Sequence, residues 1–151
     1  DLIERARAED PENPRVAVAD IQLLLAQGRN EEAQATLDRL PLELARDPEV
    51  TALRGQLRFA SALAGAPSPA ALEQRLAADP RDSEARYQLA AHRVMAGDYE
   101  TALDLLLELV RRDRSYGEDA GRKGMVAIFD VLGGEGDLVS RYRARMMTAL
   151  Y

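Results

Sequence analysis

A short string returns along this chain at near-regular intervals. AEDP at Ala8–Pro11 recurs as ARDP at Ala45–Pro48 and as AADP at Ala77–Pro80, with spacings of 37 and 32 residues. A longer match, GRNEEAQATL at Gly28–Leu37 with GDYETALDLL at Gly97–Leu106, is offset by 69 residues, as Pro11 is from Pro80. Repetition at a fixed period constrains the fold strongly. Each unit carries an apolar face that it cannot bury alone, so successive units must stack and share one core. An offset of 69 residues holds two units of about 34 each. The middle copy, Pro48–Asp79, is then the degenerate one, with GAPSP at Gly65–Pro69 in place of a short connection.

Each unit reads as two antiparallel helices. In the clearest copy, Asp82 or Ser83 caps a helix running to about Ala96, Gly97 ends it, and Asp98 caps a second helix from Tyr99. Tyr99, Ala102, Leu103, Leu106, Leu109 and Val110 recur at helical spacing and form a core stripe, with Ala102 small where two helices cross. The same signals start helices at Pro14 after Asn13, at Asn30, at Pro48 after Asp47 and at Pro69 after Ser68. Leu2–Ala8 reads as half of an earlier unit. After Asp113 the pattern departs from the repeat into helices over Gly117–Leu132 and Asp137–Leu150, joined at Gly133–Gly136. A terminal pair unlike the repeat is expected of an array that needs capping.

A period of about 34 residues built as helix–turn–helix is that of the tetratricopeptide repeat. The expected fold is therefore all-α, a tetratricopeptide-like right-handed superhelix of antiparallel helix pairs. It has some eight or nine helices in one domain over 1–151. The units span approximately 11–45, 48–78 and 80–113, with a helical cap over 116–151. Composition agrees: Ala, Leu, Arg and Glu dominate, and aromatic residues are 5%.

Composition also excludes classes of function. With no cysteine there is no disulfide or thiolate chemistry within these residues, and His92 is the only histidine. Neither a zinc site nor a hydrolytic triad can be assembled from that inventory, so no catalytic, metal or cofactor residue is expected. His92 reads as solvated or at a groove edge. GGEGD lacks the Lys-Ser/Thr of a phosphate loop and reads as a helix–helix turn. Glu31–Glu32 and Glu118–Asp119 fall in first helical turns, where they complement the helix dipole. A formal charge of −6 disfavours nucleic acid, and it divides into −7 over residues 1–111 and +1 over 112–151. No apolar run approaches the length of a membrane span. The first residue is Asp1, without a signal-like stretch, so a fragment of a longer protein is expected.

What remains is binding to other proteins, with no small-molecule substrate. First helices of such arrays line a concave groove, and here Arg15, Val18, Gln22 and Leu25, then Glu84, Tyr87, Ala91 and Val94, take those positions. The groove is mixed and fairly apolar, and it lacks the Lys and Asn of a carboxylate clamp. In the last helix Arg141 and Arg145 share one face, while Tyr142, Met146, Ala149 and Leu150 form an apolar stripe. Two readings stand for that stripe. It packs on the Met125, Ile128, Phe129, Leu132 face of the preceding helix, or it presents an adaptable, methionine-bearing surface to a partner.

RKGMVAIFDVLGGEGDLVSRYRARMMTALY at Arg122–Tyr151 resembles the C-terminus of the bacterial thioredoxin-like co-chaperones called chaperedoxins. The resemblance rests on Arg122, Lys123, Leu132, Gly133, Tyr142, Arg143, Leu150 and Tyr151, and extends more loosely through the repeats. It implies an N-terminal thioredoxin-fold domain outside this chain and a cytoplasmic holdase. That holdase binds non-native client proteins and passes them to the chaperonin or the DnaK-type system. It also implies that the terminal helix docks the chaperone through Arg141, Tyr142, Arg145, Met146, Leu150 and Tyr151. The competing readings are a generic assembly scaffold and a non-catalytic regulatory module of a larger protein.

Overall fold

The computed structural model of the chain describes residues 14–151 together with Leu2. The expected Leu2–Ala8 helix beyond Leu2, the AEDP turn and the Asn13 cap lie outside the described residues. Eight α-helices follow within them: α1 Pro14–Ala26, α2 Asn30–Asp38, α3 Pro48–Ala62, α4 Pro69–Ala78, α5 Ser83–Met95, α6 Tyr99–Arg112, α7 Tyr116–Val131 and α8 Asp137–Leu150. A 3₁₀ turn over Leu42–Leu44 leads into α3.

The caps decide where the helices begin. Asp47 accepts a hydrogen bond from the Glu49 amide at 2.9 Å, and Asp82 accepts one from Ala85 at 2.9 Å. Ser68 accepts from Ala71 at 3.2 Å and Asp98 from Thr101 at 3.3 Å. Each satisfies an amide that the first turn would otherwise leave unpaired, which stabilises the helix by about 1 kcal/mol. Capping holds the Asp98 carboxyl below its ordinary range, through its bonds to Thr101. Asp82 is shifted the same way, by the Ala85 amide first and by Arg75 after it.

Packing joins α1, α2 and α3 through Val18, Ile21, Leu24, Ala33, Leu37, Val50, Leu53 and Leu57. A second, larger core gathers Phe59 of α3 with residues of α5, α6, α7 and α8, among them Ala91, Val94, Leu103, Leu106, Met125, Ile128 and Tyr142. Only α3 feeds both cores among the described residues, so it splices the two halves of the molecule. The short α4 packs principally on α5, where Leu72 meets Ala85 and Leu89.

Two local features differ from the expectation. Gly117, Glu118 and Asp119 take φ of 58°, 58° and 70°, so the right-handed run of α7 starts only at Ala120. Glu118 and Asp119 therefore do not sit in a regular first turn facing a helix dipole. They build a left-handed reversal that costs roughly 1 kcal/mol or more per non-glycine residue. Asp119 instead accepts from the Arg122 guanidinium. His92 is half-buried and carries a specific hydrogen bond. Its Nε2 lies 2.8 Å from the Pro67 carbonyl, donating to it and tying the α3–α4 turn to α5.

The connection that departs most from a linear array is α7 against α3, two units away in sequence. Gly55 makes it possible. A Cβ built there would stand 2.7 Å from the Ala127 carbonyl oxygen and 2.9 Å from Val131 Cγ2. Gly121 and Gly124 narrow α7 on its other faces, where a Cβ would meet Val110 Cγ2 at 3.0 Å and Leu106 Cδ1 at 3.1 Å. Substituting Gly55→Ala raises intrinsic helix propensity by about 1 kcal/mol. The clash with an α7 backbone atom outweighs this, and a net destabilisation of about 1–3 kcal/mol is expected in urea unfolding. A variant as stable as the parent would show that α3 and α7 do not meet this closely.

Candidate functional site

The eight positions assigned to a concave groove separate in the structure. Arg15, Val18 and Gln22 line an open depression of about 440 Å³ completed by Leu44, Asp47, Glu49 and Val50. Val18 is itself largely buried, and Leu25 packs against the α1–α3 core rather than lining the depression. At the other end, Ala91 and Val94 are buried in the larger core together with Phe59 and Met125. Tyr87 is half-buried, its ring centroid 6.3 Å from those of both Phe59 and Tyr116, and its hydroxyl accepts from Arg58 Nε at 3.0 Å. Only Glu84 of that group is exposed, and it pairs with Arg75 at 3.8 Å. The physical reason is α7, which lies against α5 and brings Gly124 to the Tyr87 ring, occupying the space that first helices of a longer array would leave open.

The terminal helix divides in a similar way. Tyr142, Met146 and Leu150 are buried, and the helix rests chiefly on α6, within the same core that holds Met125, Ile128 and Phe129 of α7. The Arg143 guanidinium also stacks over the Phe129 ring of α7 at 5.5 Å. Arg114 Nη1 donates to the Leu150 carbonyl at 3.1 Å, satisfying a free end of the helix. The outward face carries Arg141, Arg145, Met147 at 48% exposure and Tyr151 at 93%. Of the six terminal-helix positions singled out in the sequence, Arg141, Arg145 and Tyr151 are thus accessible, while the other three hold the helix in place. Met147, exposed and adjacent, belongs to the same surface but falls off the helix's apolar stripe.

Tyr142 is the anchor. Its side chain is 1% exposed, its hydroxyl donates to the Asp104 carboxylate on α6, and the Arg141 and Arg145 guanidiniums lie 5.8 and 4.8 Å from its ring centroid. Burial, with the Asp104 hydrogen bond second, pushes its pKa from 10.0 to about 12. The folded protein thus keeps this proton where the unfolded chain loses it. The associated stability is complete below about pH 10 and is lost as pH rises toward about 12. Beside this anchor, Arg141 is held by Asp137 at 2.8 Å and lies 3.9 Å from Glu100. These exposed pairs orient the side chain more than they stabilise it.

Among the described residues no three His, Asp or Glu side chains converge to hold a metal ion, and no helix is long and apolar enough to cross a membrane. Open surfaces include the mixed depression at α1–α3 and the outer face of α8. Substituting Tyr142→Phe is expected to lower stability near neutral pH by about 1–2 kcal/mol, the cost of a hydrogen bond to a carboxylate. Urea unfolding at pH 8, 10 and 11 would show the gap between parent and variant closing as pH rises. A gap that stays constant across that range would mean that the hydroxyl does not titrate with folding.

Comparison with known proteins places the chain. The family model of the tetratricopeptide repeat matches residues 62–151, and a second tetratricopeptide-repeat model matches residues 1–57. An uncharacterized protein of Haemophilus influenzae is 26% identical over 142 residues, which cover 94% of this chain and 64% of that protein. The chain thus spans less than two thirds of that relative's length. The crystal structure of a domain of protein VP0806, of unknown function, from Vibrio parahaemolyticus is similar over 99% of this chain and 86% of the solved one. The two share 28% identity and a TM-score of 0.50. With the family model covering more than half of the chain and paired helices throughout the described residues, this is a member of the tetratricopeptide-repeat family, an all-α protein-interaction scaffold.

Proposed function

We propose that the chain is the interaction module of a co-chaperone of the chaperedoxin type. In this reading it binds non-native proteins in the bacterial cytoplasm and passes them to the chaperonin or the DnaK-type system, and a thioredoxin-fold domain precedes it. The observation that carries the reading is the C-terminal signature, Arg122–Lys123, Leu132–Gly133, Tyr142–Arg143 and Leu150–Tyr151. The packing gives those residues physically distinct tasks that suit the proposal. Tyr142 and Leu150 are buried and hold α8 on α6, whereas Tyr151 projects. A helix anchored along one side presents its other side at little further entropic cost, which favours docking. The presented side is cationic and soft, with Arg141, Arg145, Met147 and Tyr151. The depression at Arg15, Val18 and Gln22 supplies a second, mixed surface for exposed segments of clients.

Removing the whole segment Ser140–Tyr151 is a poor test, since it strips Tyr142, Met146 and Leu150 from the core. The substitutions Met147→Ala and Tyr151→Ala touch only the outer face. Together they are expected to weaken capture of purified chaperonin by about tenfold while leaving the melting temperature unchanged. Undiminished capture by the double variant would remove α8 as the docking element. In parallel, the chain should suppress light scattering by a chemically unfolded client diluted into buffer. Full scattering in the presence of excess chain would reject the holdase role.

A further inference from the structure

At one end of the third repeat, the turn before α5 and the last turn of α6 enclose a cleft of about 340 Å³ lined by Arg81, Ser83, Arg86, Arg112 and Asp113. Arg86 is 6% exposed and is the buried charged residue of the described chain. A guanidinium in such surroundings is ordinarily neutralised by a carboxylate, because an unpaired buried charge is costly. Here it donates from Nη1 to the Pro80 carbonyl at 2.8 Å and makes no ion pair among the described residues. Burial, and after it the positive charge of Arg112, holds its pKa below the ordinary guanidinium value.

The acids nearby are already committed. Asp82 caps α5 and takes a two-pronged bond from Arg75 at 3.1 Å on each oxygen. Asp113 accepts from the Ser83 hydroxyl at 2.7 Å, and Glu108 binds Arg112 through Nε and approaches Arg111. That bond fixes the Arg112 fork from behind and leaves both terminal nitrogens without a protein hydrogen bond among the described residues. Arg81, exposed at the rim, forms no ion pair either. Three guanidiniums therefore line one cleft against a single lining carboxylate, Asp113, and none of the three is ion-paired to it among the described residues.

We propose that this cleft is a binding site for a phosphate-type oxyanion, free or carried as a monoester on a partner's side chain, held by Arg86 and Arg112 with Arg81 closing from the rim. A tetrahedral dianion offers oxygens to several donors at once, whereas a planar carboxylate is satisfied by one fork. The chain's net charge of −6 repels extended polyanions, so a discrete phosphate suits this cleft better than a nucleic-acid strand. The site is independent of the co-chaperone reading and stands or falls separately from it.

The test is an NMR titration of the ¹⁵N-labelled 151-residue chain with sodium phosphate, matched in ionic strength by sodium chloride. Saturable shifts of the Arg86 and Arg112 Nε–H signals are expected with phosphate and not with chloride. Arg81→Ala, a change at an exposed side chain, should weaken the phosphate affinity about fivefold, and Arg112→Gln by more, while Arg145→Glu on α8 leaves it unchanged. Identical shifts in chloride, or an affinity that neither cleft variant alters, would overturn the site. Acetate binding as tightly as phosphate would overturn the phosphate assignment. A capped phosphoserine tripeptide binding more tightly than inorganic phosphate supports a side-chain-borne ligand, and the reverse order supports the free ion.

Discussion

The close approach of α3 and α7 at Gly55 is the contact on which the rest of this structure depends. Any side chain at that position would collide with the Ala127 carbonyl, so the two helices meet only because one of them has no Cβ. Close-packed interiors transmit such local constraints, since neither neighbour has free space into which to retreat. From this contact follows the placement of α7 against α5 and α6, and from that the seat on which α8 rests. Because α3 also belongs to the α1–α2 core, the same helix couples the repeats to the terminal pair.

The fold-back changes what a tetratricopeptide scaffold can offer a partner. An extended array exposes a concave row of first helices, but here α7 takes up that space beside α5 and seals Ala91 and Val94 into the core. The surfaces left open lie elsewhere, at the depression beside α1, the cationic face of α8 and the arginine cleft at the end of α6. The outer face of α8 is available because Tyr142, Met146 and Leu150 are committed on the inner one. Arg86 is held toward its cleft by the Pro80 carbonyl.

Much of the fold was legible before any coordinates. Among the described residues, the Asp47, Ser68, Asp82 and Asp98 caps located helix starts and Gly97 a helix end, because capping is a short-range interaction written in adjacent residues. The stripe from Ala102 to Val110 is the core it was read to be. The groove was less legible. Periodicity identifies which face of α5 is apolar but not what covers it, and Tyr87, Ala91 and Val94 meet a helix some thirty residues away. A signal was nonetheless present: Gly55, Gly121 and Gly124 sit inside helices, where glycine costs about 1 kcal/mol and so marks a place where backbones approach. The left-handed reversal at Gly117–Asp119 left no such mark, since Glu and Asp ordinarily favour a helical first turn.

The sequence by itself determined that this chain is a stack of helix pairs, since its repeat length, caps and apolar stripes are properties of neighbouring residues and survive any arrangement of the units. It also determined that cysteine chemistry and histidine-rich metal sites have no place in it. Tertiary structure alone decided which faces are open. Whether an apolar or charged side chain is core or surface depends on contacts between residues distant in sequence, and those form only once α7 has been laid against α3. The burial of Arg86 without a carboxylate and the division of α8 into an anchoring and a presented side are decisions of that second kind. They rest on the free energy of closing long-range contacts, which no local pattern records.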